Sequence, residues 1–175
     1  MHPKGLLRVH CPMRELFGTD NFDVLPHVVA MLTAYLLAVP LGWNREKEER
    51  SAGLRTFPLV AIASCGFIQA GETIAAGSAE ALARINEGVI VGMGFIGGGA
   101  ILKVRDSVKG TATAASIWVT GAIGVSCGLG AFDIALVLAV AAFATLWLMQ
   151  PLKKAAGVDD EKEAVGSEPP ADQAT

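Results

Sequence analysis

The chain has 175 residues, 52% of them hydrophobic and only 18% charged, with a mean hydropathy of +0.47 and a net charge of -3. That length suits one domain, and charges bunched between long uncharged runs suit a chain dissolved largely in lipid. There is no broad basic face for nucleic acid, and Cys11, Cys65 and Cys127 offer neither a CxxC pair nor a His at ligand spacing, so no disulfide framework or zinc site is indicated.

Residues 1–23 form a polar segment that carries Lys4, Arg8, Arg14 and Glu15 and has no apolar core of useful length, so it does not read as a signal peptide. Residues 24–43 hold no Asp, Glu, Lys or Arg and are long enough to cross ~30 Å of hydrocarbon as a helix. Ala30, Ala34 and Ala38 give this first span a stripe of small residues, and His27 falls near its outer end. Residues 44–55 then carry Arg45, Glu46, Lys47, Glu48, Glu49, Arg50 and Arg55. Burying these in lipid at ~3 kcal/mol each would cost on the order of 20 kcal/mol, so the segment stays in water. The pairs Arg45–Glu49 and Glu46–Arg50 sit four apart and would extend span one as a solvated helix.

The second span is expected at 56–74, capped by Thr56, with Pro58 in the first turn, where a missing N–H does little harm. Residues 77–87 read as a polar surface segment. A third span follows at 87–103, with Lys103 and Arg105 placed to snorkel from its end. The uncharged stretch 111–150 is about 60 Å long as a helix, roughly two bilayers, apart from the acid at Asp133. It must fold back, and Gly128-Leu129-Gly130 followed by Asp133 marks the turn, giving spans 111–128 and 133–150. Pro151 is expected to end the fifth span. The tail 153–175 is acidic and has the composition of disorder.

The fold class is therefore all-α: a polytopic membrane bundle of about five helices whose membrane domain covers 24–152. With the amino terminus outside, ten Lys and Arg lie on the cytoplasmic side and four outside, which favours amino terminus out and carboxyl terminus in. Trp43 and Trp147 then share the cytoplasmic interface.

Gly92-Met93-Gly94-Phe95-Ile96-Gly97 spells GxGxxG, yet a dinucleotide site needs a preceding strand and an acid about 20 residues on, where Ile117 and Trp118 stand. Helix packing accounts for the glycines better. Gly88 and Gly92, Gly94 and Gly98, and Gly124 and Gly128 are GxxxG pairs, and Ala131, Ala135 and Ala139 make a further small stripe. The run Gly97-Gly98-Gly99 weakens a helix by ~1 kcal/mol per residue and admits a kink or unwound segment. The middles of the five spans contain no acid: Glu72, Glu87 and Asp133 lie at ends. A divalent-cation path would need hard oxygen ligands. Thr111, Thr113, Ser116 and Thr120 read instead as interhelical hydrogen-bonding groups. No catalytic Ser–His–Asp or Cys–His set can be assembled, no cofactor is expected, and the sequence assigns no metal ligands.

Several pieces together resemble the MgtC/SapB family of bacterial inner-membrane proteins. They begin with Gly42-Trp43-Asn44-Arg45-Glu46 and Ala52-Gly53-Leu54-Arg55-Thr56, followed by Arg84-Ile85 and the segment Gly92-Met93-Gly94-Phe95-Ile96-Gly97-Gly98-Gly99 with Ile101. Gly110, Thr113-Ala114-Ala115, Trp118, Ala122-Ile123-Gly124 and Gly128-Leu129-Gly130 complete the set. The chain departs from the family pattern at Asn44, where an acid is usual, at Ala81-Leu82-Ala83, where an Asp-Pro step is usual, and at Gly88, usually Gln. Longer relatives carry a folded cytoplasmic domain after the last span; this chain looks like the short form.

The resemblance implies a multi-pass inner-membrane protein linked to growth in low magnesium and, in pathogens, to virulence. Relatives are often labelled magnesium transporters, but they are better described as regulators that bind other membrane proteins, including the ATP synthase. On this reading the chain is a non-enzymatic regulator, with a homo-oligomer or another inner-membrane protein as partner and a magnesium or other cation transporter as the alternative. Its motif residues are Arg45, Glu46, Gly53, Arg55 and Thr56. Arg84, Gly92, Gly94, Gly97, Gly98, Gly99, Thr113, Trp118, Gly124 and Gly128 serve packing or partner contact.

Overall fold

Each uncharged run of the sequence becomes a helix, because in lipid every backbone N–H and C=O must be satisfied within the segment. The computed structural model describes residues 24–48, 53–104 and 107–155. The polar segment 1–23, residues 49–52, Arg105 and the acidic tail past 155 lie outside the described residues, and with them both charge pairs expected of the first loop. The helices are α1 (Leu25–Glu48), α2 (Thr56–Ala75), α3 (Ala79–Gly99), α4 (Thr111–Gly128) and α5 (Phe132–Ala155). A small antiparallel hairpin of β1 (Leu102–Val104) and β2 (Ser107–Lys109) joins α3 to α4, with Lys103 opposite Val108. The fold is an all-α bundle.

Among the described residues, three helices are long and apolar enough to cross a membrane: α1 over Leu25–Lys47, α2 over Thr56–Ala75, and α5 over Phe132–Met149. The other two differ for separate reasons. The first half of α3 carries Glu80, Arg84 and Glu87. In α4, Gly, Ala, Ser and Thr dominate, and more than half of its residues are buried. It packs against all four other helices, whereas α3 packs on α2 and α4, and α5 on α1 and α4. The central helix never meets lipid over most of its circumference, so it has no need of large apolar side chains.

The size gradient across the bundle also favours a membrane. Ala30, Ala34, Ala38, Ala135 and Ala139 are buried, while Leu32, Leu36, Leu136, Val137 and Val140 of the same helices are exposed. In water large apolar groups turn inward. In lipid nothing drives them inward, and small residues at the interface let the helix backbones approach.

The structure corrects four expectations from the sequence. The segment 77–87 is not a surface loop, because α3 already begins at Ala79. Ser78 caps α3 by accepting a hydrogen bond from the Ala81 N–H at 3.3 Å, and Glu80 pairs with Arg84 at 3.0 Å one turn on. The third helix ends at Gly99 rather than at 103. Its glycine run lies in the last turn, which closes with Ala100 and Ile101 N–H donating to Gly97 and Gly98 C=O, both at 3.1 Å. Lys103 consequently sits on β1, and Gly110 takes a left-handed φ of 88° beside the Ala100 carbonyl, a position closed to any Cβ. Thr56 is the first helical residue of α2, with Arg55 at the cap position and no side-chain cap. Finally, Pro151 does not stop α5, which runs on to Ala155. A proline removes one ladder hydrogen bond, and near a helix end that loss is readily absorbed.

Candidate functional site

The charged end of α1 folds back on the start of α2 through the residues that carry the family motif. Gly42 lets the two segments touch: a Cβ there would come within 3.3 Å of the Gly53 carbonyl oxygen, the Leu54 Cα and the Phe57 Cβ. One turn later Glu46 reaches across, and its Oε2 accepts the Leu54 N–H at 3.0 Å. A Cβ on Gly53 would collide with that same Glu46 carboxylate. The Gly53 carbonyl in turn accepts from Thr56 and Phe57 N–H at 3.0 and 3.3 Å, which starts α2 without a side-chain cap. The Gly53 carbonyl therefore does the job expected of the Thr56 side chain, and Glu46 holds the turn ahead of the helix through Leu54. Arg45, on the inner side of the same turn, is only 3% exposed, while Arg55 is exposed. Trp43 lies on the outer side, with the Lys47 ammonium 5.5 Å from its ring centre.

The glycines divide into two sets with different neighbours. In α4, a Cβ on Gly121 would strike the Met93 thioether, and one on Gly124 would strike the Ala61 carbonyl oxygen. On Gly128, a Cβ would lie 2.8 Å from Ile68 Cβ and 2.9 Å from the Cys65 carbonyl oxygen. This helix is thus nearly in backbone contact with α2. On α3, Gly97 meets the Ala114 carbonyl oxygen at 3.3 Å. Gly88, Gly92, Gly94, Gly98 and Gly99 have no atom within 4 Å of a Cβ position, and all five are exposed. With 3.6 residues per turn, Gly88, Gly92 and Gly99 fall on one stripe that Phe95 shares, seven residues after Gly88, with Val91 along one side; the two are 86% and 68% exposed. Thr113 is fully buried, whereas Trp118 and Arg84 are exposed. The sequence motifs therefore supply one set of residues that builds the bundle and another that faces outward from α3.

The buried hydroxyls of Ser116, Thr120 and Ser126 are turned to their own helix. Ser116 donates to the Ala112 carbonyl at 2.7 Å, Thr120 to that of Ser116 at 2.8 Å and Ser126 to that of Ala122 at 2.9 Å, while Ser64 donates to the Met93 sulfur at 3.7 Å. The interhelical role expected of Ser116 and Thr120 is therefore not what their hydroxyls do. Among the described residues no group of three His, Cys, Asp or Glu could hold a metal ion together.

The model of the MgtC family matches residues 31–155. Protein MgtC of Salmonella typhimurium strain LT2 is 38% identical over 117 residues, covering 67% of this chain and 49% of that protein. Protein MgtC of Brucella abortus strain 2308 is 36% identical over 129 residues, covering 73% and 53%. The chain spans about half the length of the curated relatives it matches. No solved structure matches it.

Proposed function

From the premise that this chain belongs to the MgtC family, we propose that it is a non-enzymatic regulator in the bacterial inner membrane, acting by contact between its own α3 and a helix of another membrane protein. Its physiological setting is adaptation to low magnesium, as the family resemblance implies, with a role in virulence where the bacterium is a pathogen. It crosses the membrane several times, with its amino terminus outside and its carboxyl terminus inside. The candidate partner is another inner-membrane protein, the ATP synthase among them.

One observation carries the reading: five of the six glycines of α3 lie open, all but Gly97, while those of α4 are spent inside the bundle. A recess at Gly88 and Gly92, with Phe95 standing one turn further along the same stripe and Val91 beside it, has the relief that allows a second helix to approach closely in lipid. Replacing both Gly88 and Gly92 with Leu fills this groove from positions where a Cβ meets nothing within 4 Å. The variant should insert and purify as the native protein does, yet lose the partners that co-purify in mild detergent. Undiminished co-purification would refute the reading.

The alternative is a magnesium or other cation transporter, with Arg45, Glu46, Arg55 and Gly97-Gly98-Gly99 at its mouth. Against it stand the helical backbone through Gly99 and the hydroxyls bonded to their own helix. Magnesium flux into proteoliposomes that disappears with Glu46→Gln would favour it over the regulator.

A further inference from the structure

Charge is divided between the two ends of the bundle. Where α1 finishes, α2 begins and the hairpin joins α3 to α4, the described residues place Arg45, Lys47, Arg55, Lys103 and Lys109 against Glu46 and Glu48. Toward the opposite end they place Glu72, Glu80, Glu87 and Asp133 against Arg84, which is already paired with Glu80. At the basic end Lys47, Arg55, Lys103 and Lys109 are exposed, and the Glu46 carboxylate is engaged by the Leu54 N–H. The hairpin adds apolar surface to that charge. Ile101, Leu102 and Val108 are 42%, 53% and 52% exposed. Cross-strand partners share a face, so Leu102 lies beside Lys109 on one face and Val108 beside Lys103 on the other. Each face thus joins an apolar side chain to an ammonium. The hydrocarbon core excludes those charges, and bulk water gives the apolar groups nothing to pack on. The hydrated headgroup layer suits both, because apolar side chains reach the acyl boundary while lysine stems snorkel their charge outward. Trp43, exposed near the end of α1 with Lys47 over its ring, marks this end of the bundle as interfacial.

We propose that the β1–β2 hairpin is an interfacial anchor for anionic phospholipid, with Lys103 and Lys109 reaching the headgroup phosphates and Ile101, Leu102 and Val108 resting on the upper acyl chains. Lysines clustered beside a membrane-spanning bundle draw acidic lipid by charge, and here apolar contact adds to the attraction. The acids of residues 156–175 match the charge, but that segment has no Leu, Ile, Phe or Met to cover the apolar side chains. Acyl chains do cover them. This surface is separate from the recess at Gly88 and Gly92, so either proposal can fail alone.

The test uses the full chain purified in mild detergent, with native mass spectrometry to compare retention of dioleoyl phosphatidylglycerol and dioleoyl phosphatidylcholine. Their acyl chains are identical, so the difference reports headgroup charge. The native chain should prefer phosphatidylglycerol. The double variant Lys103→Gln/Lys109→Gln should lower that preference by up to about thirtyfold, a factor of roughly five for each lysine beside an anionic headgroup. Lys47→Gln/Arg55→Gln removes the same charge from the same end and should leave most of the preference in place. Leu102→Ser/Val108→Ser should lower retention of both lipids and keep the preference. Equal retention of the two lipids by the native chain overturns the proposal. So do equal losses in the two charge variants, which would show a diffuse positive field with no role for the hairpin. A preference that appears only after the six acids of residues 156–175 are changed to amides also overturns it, and would put that segment on the hairpin instead.

Discussion

Gly124→Ala and Gly92→Ala add the same methyl group to two helices of the same bundle and should move stability in opposite directions. At position 92 the new Cβ meets nothing within 4 Å, so the change should gain up to ~1 kcal/mol, the helix-propensity difference between the two residues. At position 124 the same gain is available, but the methyl lands on the Ala61 carbonyl oxygen, with Ser64 Cβ at 2.9 Å and the Ala61 carbonyl carbon at 3.0 Å. Two of those three atoms belong to the α2 backbone, which cannot rotate away as a side-chain tip can. The helices must separate, and overpacking of this kind costs about 1–3 kcal/mol. Backbone contact argues for the upper end, so the two variants should differ by about 3 kcal/mol, more than a hundredfold in the unfolding equilibrium. Reversible unfolding in mixed micelles of mild detergent and SDS, followed by Trp fluorescence, measures both. If Gly124→Ala is as stable as Gly92→Ala, the close α2–α4 approach is wrong.

The first-loop contact predicts a non-additive pair. Glu46→Ala and Gly53→Ala should each destabilise by about 1 kcal/mol through the same lost Leu54 N–H bond. The double variant should be little worse than either single one in the same unfolding assay, because both act on one contact. Glu46→Gln keeps an acceptor oxygen and should recover most of the loss. The proposed orientation places the β1–β2 hairpin in the cytoplasm. A cysteine replacing the exposed Val108, in a chain whose native cysteines are changed to Ser or Ala, should therefore react with an impermeant maleimide in inverted vesicles and not in intact spheroplasts.

Much of the architecture was legible because lipid allows few choices. Uncharged runs had to become helices, and Gly128-Leu129-Gly130 had to turn, as it does ahead of α5. The start of α3 is hidden in the sequence because Glu80, Arg84 and Glu87 give it the polarity of a surface segment. Ser78 followed by a run of strong helix formers, with Glu80 four residues before Arg84, was the signal for a capped helix. The hairpin was hidden for a different reason: three-residue strands carry too little periodicity to stand out from the end of an apolar run. The glycine pairs were visible, but not their neighbours. Spacing fixes which residues share a face, whereas only the assembled bundle shows that Gly124 and Gly128 press on α2 while Gly88 and Gly92 point away from every other helix. The contact of Glu46 with Leu54 joins residues eight apart across a turn, and no helical or strand period anticipates it.

The account turns on α3 meeting another protein in the native membrane. A photo-crosslinking amino acid placed at Phe95, which is 86% exposed, should join the chain to a second protein on irradiation of living cells, while the same probe at Met93, 5% exposed, should not. If position 95 yields only lipid adducts, or if both positions give the same protein products, the outward glycine face is not a docking surface.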